Sequence, residues 1–265
     1  MNRLVSSLVM LVMLIGVLIP AAGAETLSEA EKKEFAQNLA LPSPAEMFLA
    51  INRLNDADWS KVAGSSPRYD YGDNYVRALN LGLRATDGLV AILSKDKAKL
   101  GEVIVVVITL AEDLMVQDTI LDRSSTFEQL ANEGRWSELR DELDSLRYLI
   151  EMEMDQIGDQ DIATLVRVGG WLKGLTATAG LMKKQHYSDN VTSILYQPNL
   201  VDYFTVELAN MEPEAKANPL AQALMKALPK IRALVNVGYG KPVPDKNIEE
   251  LHRLGSALVA KIEEG

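Results

Sequence analysis

Apolar residues recur at the three- and four-residue spacing of an α-helix along most of this chain. In segment 73–93 they cover two faces, so that little of the predicted helix is expected to face water. Segment 97–116 is apolar nearly all round, and its β-branched run from Val103 to Ile108 favours a strand by local propensity. We nevertheless predict a helix there, because the apolar segment is longer than a typical strand and no partner strand is evident.

Capping residues and helix breakers divide the rest of the chain into further helices. Three of these helices are predicted to begin at the capping residues Ser125, Ser188 and Asp245, the last of which opens the terminal helix to Glu263. The others are predicted to begin at Trp136, at either Asp159 or Asp161, and at Pro219. Pro198 and Pro229 are expected to break or kink two of these helices. The sequence thus predicts an all-α protein, a multi-helix bundle of about nine or ten helices that forms one domain over residues 25–265.

Two stretches of the chain resemble each other. Leu81-Gly82 leads into a helix, a Lys-containing turn and a second helix, and Val168-Gly169 is followed by the same order with Lys183-Lys184 in the turn. An internal duplication of a helical hairpin is one hypothesis. The alternative is that two helical sequences align by chance.

The first 24 residues have the pattern of a secretory signal peptide. Arg3 precedes an apolar run from Leu4 to Ile19, and Pro20 and the small residues Ala22-Gly23-Ala24 follow it. The alternative is an uncleaved membrane anchor, because the run is nearly long enough to cross a bilayer. The proline and the small-residue site favour cleavage after Ala24. We therefore expect a periplasmic or secreted protein with no integral membrane segment after cleavage.

Charge and composition narrow the classes of function. The chain holds 37 acidic and 27 basic residues, a formal net charge of -10, and no cysteine. The acidic balance argues against a nucleic-acid partner, which needs clustered Lys and Arg. Without cysteine there is no disulfide, thiol nucleophile or thiolate metal site. An exported protein of this length that lacks disulfides suits a bacterial periplasm.

The catalytic signatures in the chain are incomplete. Glu249 and His252 form half of a di-iron carboxylate motif, which needs a second such pair and further glutamates. The other histidine, His186, is distant in the sequence. We therefore predict no catalytic residue, metal or cofactor, and we leave open whether the protein is an enzyme.

Two loops hold aromatic residues that could recognise a ligand. Tyr69, Tyr71 and Asp73 lie in a Tyr- and Asp-rich loop, and Tyr239 stands between two glycines in loop 237–244. Amphipathic aromatic rings beside carboxylates suit polar ligands such as sugars or peptides. The alternative for the first loop is a helix-entry loop whose Tyr rings lie on the core, and for loop 237–244 it is a rigid connection between helices.

The remaining candidate residues lie on helices that otherwise look buried. They are the charged residues Arg84, Asp87, Glu112, Asp113 and Arg167, together with Trp171, which is expected to share a helix face with Arg167. A buried charge without a partner costs several kcal/mol, so these groups must pair, meet water or line a cavity. Because a short turn joins segments 73–93 and 97–116, we expect an antiparallel hairpin that brings Arg84 close to the Glu112/Asp113 pair. We also predict that Arg167 reaches the same region.

The leading hypothesis for function is a non-catalytic protein of the cell envelope that binds an unidentified protein or small molecule. One alternative is a cell-envelope enzyme that uses the buried carboxylates and arginines in a central polar pocket. A second alternative is a structural envelope protein.

Overall fold

The computed structural model describes residues 48, 50–51, 57–64, 66–115, 117–157, 159–184 and 189–265. Over these residues the chain is helical between short turns and contains no β-strand, which confirms the predicted all-α bundle. The α-helices are α1 (Asn74–Leu93), α2 (Lys97–Asp113), α3 (Gln117–Asn132), α4 (Trp136–Ile157), α5 (Gln160–Lys184), α6 (Asp189–Thr192), α7 (Pro198–Asn210), α8 (Pro213–Ala217), α9 (Pro219–Val235) and α10 (Asp245–Glu264). A 3₁₀ turn at Trp59–Lys61 precedes α1, and another at Ser193–Leu195 follows α6.

The β-branched run lies inside α2, so the prediction of a helix there is confirmed. Val103, Val106 and Leu110 are buried and repeat at helical spacing, which places them on one face of α2. Tertiary burial of that face outweighs the weak helix propensity of the β-branched residues.

Several predicted helix boundaries are wrong in detail. Ser125 lies inside α3 and does not cap a helix. Pro244 occupies the cap position of α10, and Asp245 is its first residue. Pro198 begins α7, where a missing backbone N–H costs nothing, whereas α9 continues through Pro229. The predicted cap at residue 188 and the predicted boundary after residue 24 lie outside the described residues.

Helices α1 and α5 form the centre of the bundle, and their backbones nearly touch. A Cβ atom added to Gly82 would lie 2.1 Å from the carbonyl oxygen of Val166, and one added to Gly169 would lie 2.2 Å from that of Leu79. Only glycine fits at either position. These are the two glycines of the proposed duplication, and each packs against the other's helix. The duplication itself stays a hypothesis.

The terminal helix α10 crosses both central helices and also packs on α9. A Cβ atom added to Gly255 would lie 2.2 Å from Thr176 Oγ1, so α10 and α5 are also in close contact. This packing brings the last turn of α10, with Glu263, against α1. Among the helices of the described region, none combines the length and the apolar character needed to cross a membrane.

Candidate functional site

A network of buried charges joins α1 to the last turn of α10. Arg84 and Asp87 are three residues apart on one face of α1, and their side chains are only 1% and 2% exposed. Arg84 Nη1 lies 3.2 Å from Asp87 Oδ2 and donates to the carbonyl oxygen of Ser66 at 2.9 Å. Arg84 Nη2 donates to Glu263 Oε1. The two terminal nitrogens of the guanidinium therefore contact groups from three separate segments.

Lys173, on α5, completes this network. Its Nζ atom lies 2.9 Å from Asp87 Oδ1 and 3.8 Å from Glu263 Oε1. Two cations thus face two carboxylates, and the network is formally neutral. Burial raises the pKa of Asp87, while the charges of Lys173 and Arg84 act in the opposite direction. We call these four residues the buried charge network.

Neutral hydrogen bonds hold the end of α10 in the same place. Asn80 Nδ2 donates to the carbonyl oxygen of Ile262 at 2.9 Å. The Tyr71 hydroxyl lies 3.0 Å from Asn80 Oδ1 and 3.2 Å from the carbonyl oxygen of Glu263, and it can donate to either. Burial raises the pKa of Tyr71, so the phenol keeps its proton at neutral pH. The predicted ligand residue Tyr71 therefore supports the fold.

A cleft of about 250 Å³ opens beside the network, between the turn at Trp59–Lys61 and helices α5 and α10. Lys173 belongs both to the buried charge network and to the lining of this cleft. The cleft is lined by polar or charged side chains and three apolar ones: Lys61, Lys173, Thr176, Lys184, His252, Ser256, Val62, Ala63 and Ala177. Because three lysines and one histidine surround it and no carboxylate lines it, we call it the basic cleft.

The lysines of the basic cleft differ in how their charge is balanced. Lys173 binds the carboxylates of the buried charge network, and Lys61 Nζ lies 3.6 Å from Asp58 Oδ2. Lys184 Nζ donates to the backbone carbonyl oxygen of Lys61, a neutral acceptor that does not itself balance the positive charge of Lys184. An ammonium has three N–H donors, so these groups can donate further hydrogen bonds to an anionic partner.

His252 forms the α10 side of the basic cleft. Its Nδ1 atom lies 3.4 Å from the carbonyl oxygen of Thr176. Burial lowers the pKa of His252; the contact to Thr176 raises it, and the positive charges of Lys183 and Lys184 lower it further. Together these effects hold the pKa of His252 below its usual value and favour the neutral imidazole.

The predicted meeting of Arg84 with Asp113 is wrong. Asp113 Oδ2 lies 2.9 Å from Arg77 Nε at the open end of the α1–α2 hairpin, and Glu112 is exposed. Residues equally far from the turn face each other in an antiparallel pair. Arg77 lies seventeen positions before Ser94, and Asp113 lies seventeen after Asp96. Arg84 is too close to the turn to reach the end of α2.

Arg167 does not join the buried charge network either, so this part of the prediction is also wrong. Its Nη2 atom donates to Thr164 Oγ1 at 3.3 Å on the same helix. The cation that α5 contributes is Lys173, six residues later and therefore on a different face of the helix.

The other predicted ligand residues are dispersed. Asp73 caps α1 by accepting hydrogen bonds from the backbone N–H groups of Tyr75 and Val76. Trp171 is buried and donates to Gln197 Oε1 at 3.3 Å. Two tyrosines are exposed, namely Tyr69 at 48% and Tyr239 at 92%.

Sequence reasoning missed the residues that complete the network and form the cleft. Lys173 did carry a signal, since it is an isolated charge in a long apolar segment, as Arg84 is. Glu263 carried none, because it lies in a charged chain end where a solvated carboxylate is the normal expectation. The cleft combines residues near positions 61, 180 and 252, which only the packing of α10 on α5 brings together.

Within the described stretches of the chain, no group of three or more His, Asp or Glu side chains is placed to hold a metal ion. No family model, curated protein or solved structure matches this chain.

Proposed function

We propose that this chain is an exported, non-catalytic binding protein of the cell envelope, and that it takes up a small anion in the basic cleft. The observation that carries the proposal is the cluster of Lys61, Lys173, Lys184 and His252 around a cavity of about 250 Å³. Ammonium groups bind carboxylate and phosphate oxygens through short, charge-assisted hydrogen bonds.

The size of the basic cleft limits the ligand. Pockets for drug-sized molecules occupy about 300–1,000 Å³, and this one is smaller. A ligand with one or two anionic groups and few other atoms would fit, such as a short carboxylic acid or inorganic phosphate. Lys184 is the expected principal contact, because its described contact is to a neutral carbonyl oxygen.

The buried charge network favours binding over catalysis. The enzyme alternative requires Arg84 and Asp87 to face an open pocket, where they could act on a substrate. Both side chains are almost completely buried and pair with each other and with Glu263 and Lys173. Arg84 and Asp87 do not line the cleft and stay out of reach of a ligand there, whereas Lys173 lines it.

Export is the second part of the proposal, and it rests on the signal-peptide pattern of residues 1–24, which lie outside the described residues. We expect the mature protein to begin at Glu25. N-terminal sequencing of protein from the periplasmic fraction tests this. Recovery of the intact chain, including Met1, from the membrane fraction would contradict it.

Calorimetric titration of the purified protein tests the binding proposal. Inorganic phosphate and succinate are the anionic probes, and choline is the cationic control. We expect Lys184→Met to weaken binding by about tenfold or more, the loss of one charge-assisted contact worth ~1.4 kcal/mol. Lys226→Met is the matched control, because Lys226 is exposed on α9 and does not line the cleft. The absence of binding to both anions, or equal losses in the two variants, would overturn the proposal.

A further inference from the structure

Helix α2 has an apolar face that the described part of the chain leaves open. Val105 is 61% exposed, and Ala98 and Gly101 are exposed on the same side. Nothing lies within 4 Å of a Cβ atom built on Gly101. Ile104 and Ile108, at the edges of this face, are only partly buried. We call the surface formed by Ala98, Gly101, Val105, Thr109 and Glu112 the outer face of α2.

The positions that form the outer face of α2 are spaced symmetrically about its centre, although different residues occupy the two halves. Val105 is the midpoint of the helix Lys97–Asp113. In an antiparallel pair of α2 helices related by a two-fold axis at Val105, Val105 meets its own copy. Gly101 then lies opposite Thr109, and Ala98 lies opposite Glu112. A self-complementary surface of this kind is what a two-fold interface between identical chains requires.

The charges of α2 fit the same arrangement. Its first turn holds Lys97 and Lys99 and no acidic residue, while Glu112 and Asp113 end the helix. Within one helix this distribution is unfavourable, because the helix dipole favours anions at the N-terminus and cations at the C-terminus. An antiparallel copy brings the acidic end of each helix over the basic end of the other, where the charges attract.

Two charged residues of α2, one at each end, can still attract a second copy of the helix, given the contacts that the described residues make. Lys97 donates to the neutral side chain of Asn132, so its charge is not compensated by that contact. Glu112 is exposed at the other end of the helix. Lys99 and Asp113 are already paired within the chain, with Glu102 and Arg77. Lys97 and Glu112 are therefore the residues on which the charge complementarity mainly rests.

We propose that the outer face of α2 is an interface with a second copy of this chain, packed antiparallel about Val105. Gly101 allows the two backbones to approach closely opposite Thr109. One helix pair is a small interface, so we expect a dissociation constant on the order of micromolar. The proposal is independent of the ligand in the basic cleft.

Single-cysteine variants test this geometry directly, because the chain contains no cysteine. Under mild oxidation with diamide, Val105→Cys should form a disulfide-linked dimer, since the two copies of this position meet at the axis. Ala98→Cys should stay monomeric, because its two copies lie ~21 Å apart along the helix pair. Val206→Cys, at a position 42% exposed on α7, controls for random collision.

Sedimentation velocity of the cysteine-free protein from about 1 to 500 μM provides a second measurement on the same scale as the expected dissociation constant. A concentration-dependent dimer that Val105→Arg abolishes and Val206→Arg leaves unchanged would support the proposal. Crosslinking of Val105→Cys no faster than Val206→Cys would overturn it. Equal crosslinking of Val105→Cys and Ala98→Cys would indicate a parallel pair and would also overturn it. A protein that stays monomeric at every concentration and instead binds phosphatidylglycerol vesicles through Val105 would overturn the proposal as well.

Discussion

Two arginines on the same helix show how strongly position determines the role of a charge. Arg77 and Arg84 are seven residues apart on α1, about 10 Å along its axis. The Arg77 side chain is 22% exposed and pairs with Asp113, which is 40% exposed. The Arg84 side chain is 1% exposed and belongs to a network with two carboxylates and a second cation.

The difference follows from the cost of removing charge from water. A partly exposed pair such as Arg77–Asp113 loses less when it is broken, because water reaches part of each side chain. A buried guanidinium must have its charge balanced and its N–H groups bonded within the protein. This requirement links α1, α5, α10 and the loop at Ser66 through one set of side chains. Through Lys173 the network also contributes to the lining of the basic cleft.

Replacing the arginine of each pair should give the largest difference in the free energy of unfolding. We expect Arg84→Met to lower the free energy of unfolding by about 3–5 kcal/mol, because the buried carboxylate of Asp87 and the partly buried carboxylate of Glu263 lose their guanidinium partner. Arg77→Met should cost no more than about 1 kcal/mol. Chemical denaturation of the two variants measures both values. Equal, small losses would show that Arg84 is hydrated.

The same contrast between interior and surface applies to two helical glycines. Gly82→Ala should destabilise the protein by about 2–3 kcal/mol or more, because the added methyl group overlaps a backbone oxygen of α5 that cannot move aside. Gly101→Ala should stabilise it by about 0.5–1 kcal/mol, because the site is open and alanine favours the helix. Thermal unfolding at submicromolar protein concentration, where the chain is expected to be monomeric, measures both. A neutral Gly82→Ala would contradict the close crossing of α1 and α5.

The helices could be predicted from the sequence because periodicity and breakers are local signals. Segment 73–93 matches α1 almost to the residue, and α2 is helical despite Val103–Ile108. The register of the α1–α2 hairpin was also available, since counting outward from its turn pairs Arg77 with Asp113. The approximate position of a residue along its helix does not assign its partner: Arg84 lies ten positions before Ser94 and therefore faces the middle of α2.

The candidate site could be predicted only in part. An isolated charge on an apolar helix indicates burial, and this logic correctly identified Arg84 and Asp87 as buried. It gives no information about the partner, which for Arg84 includes a residue 179 positions away in the chain. The lysines of the basic cleft carry no local signal, because lysine is the usual residue of a solvated turn or helix end.

A smaller effect is expected from the pH dependence of binding in the basic cleft. The pKa of His252 lies below its usual value because the ring is partly buried and near lysines. As the pH falls through that pKa, the imidazole gains a positive charge beside the ligand, so affinity for an anion should rise. Binding of sulfate, whose charge stays constant over this range, should therefore strengthen by up to about tenfold as the pH falls from neutral through this lowered pKa. His252→Gln should abolish the change. A pH dependence that survives this substitution would assign the effect to another group.

The most direct test of the central claim is to locate the bound anion on individual lysines. Reductive ¹³C-methylation followed by NMR titration with inorganic phosphate reports each lysine separately. The account predicts saturable shifts for Lys61 and Lys184, which line the basic cleft, and none for Lys99 or Lys226, which do not. Saturable shifts confined to lysines outside the cleft, or equal shifts at all exposed lysines, would contradict it.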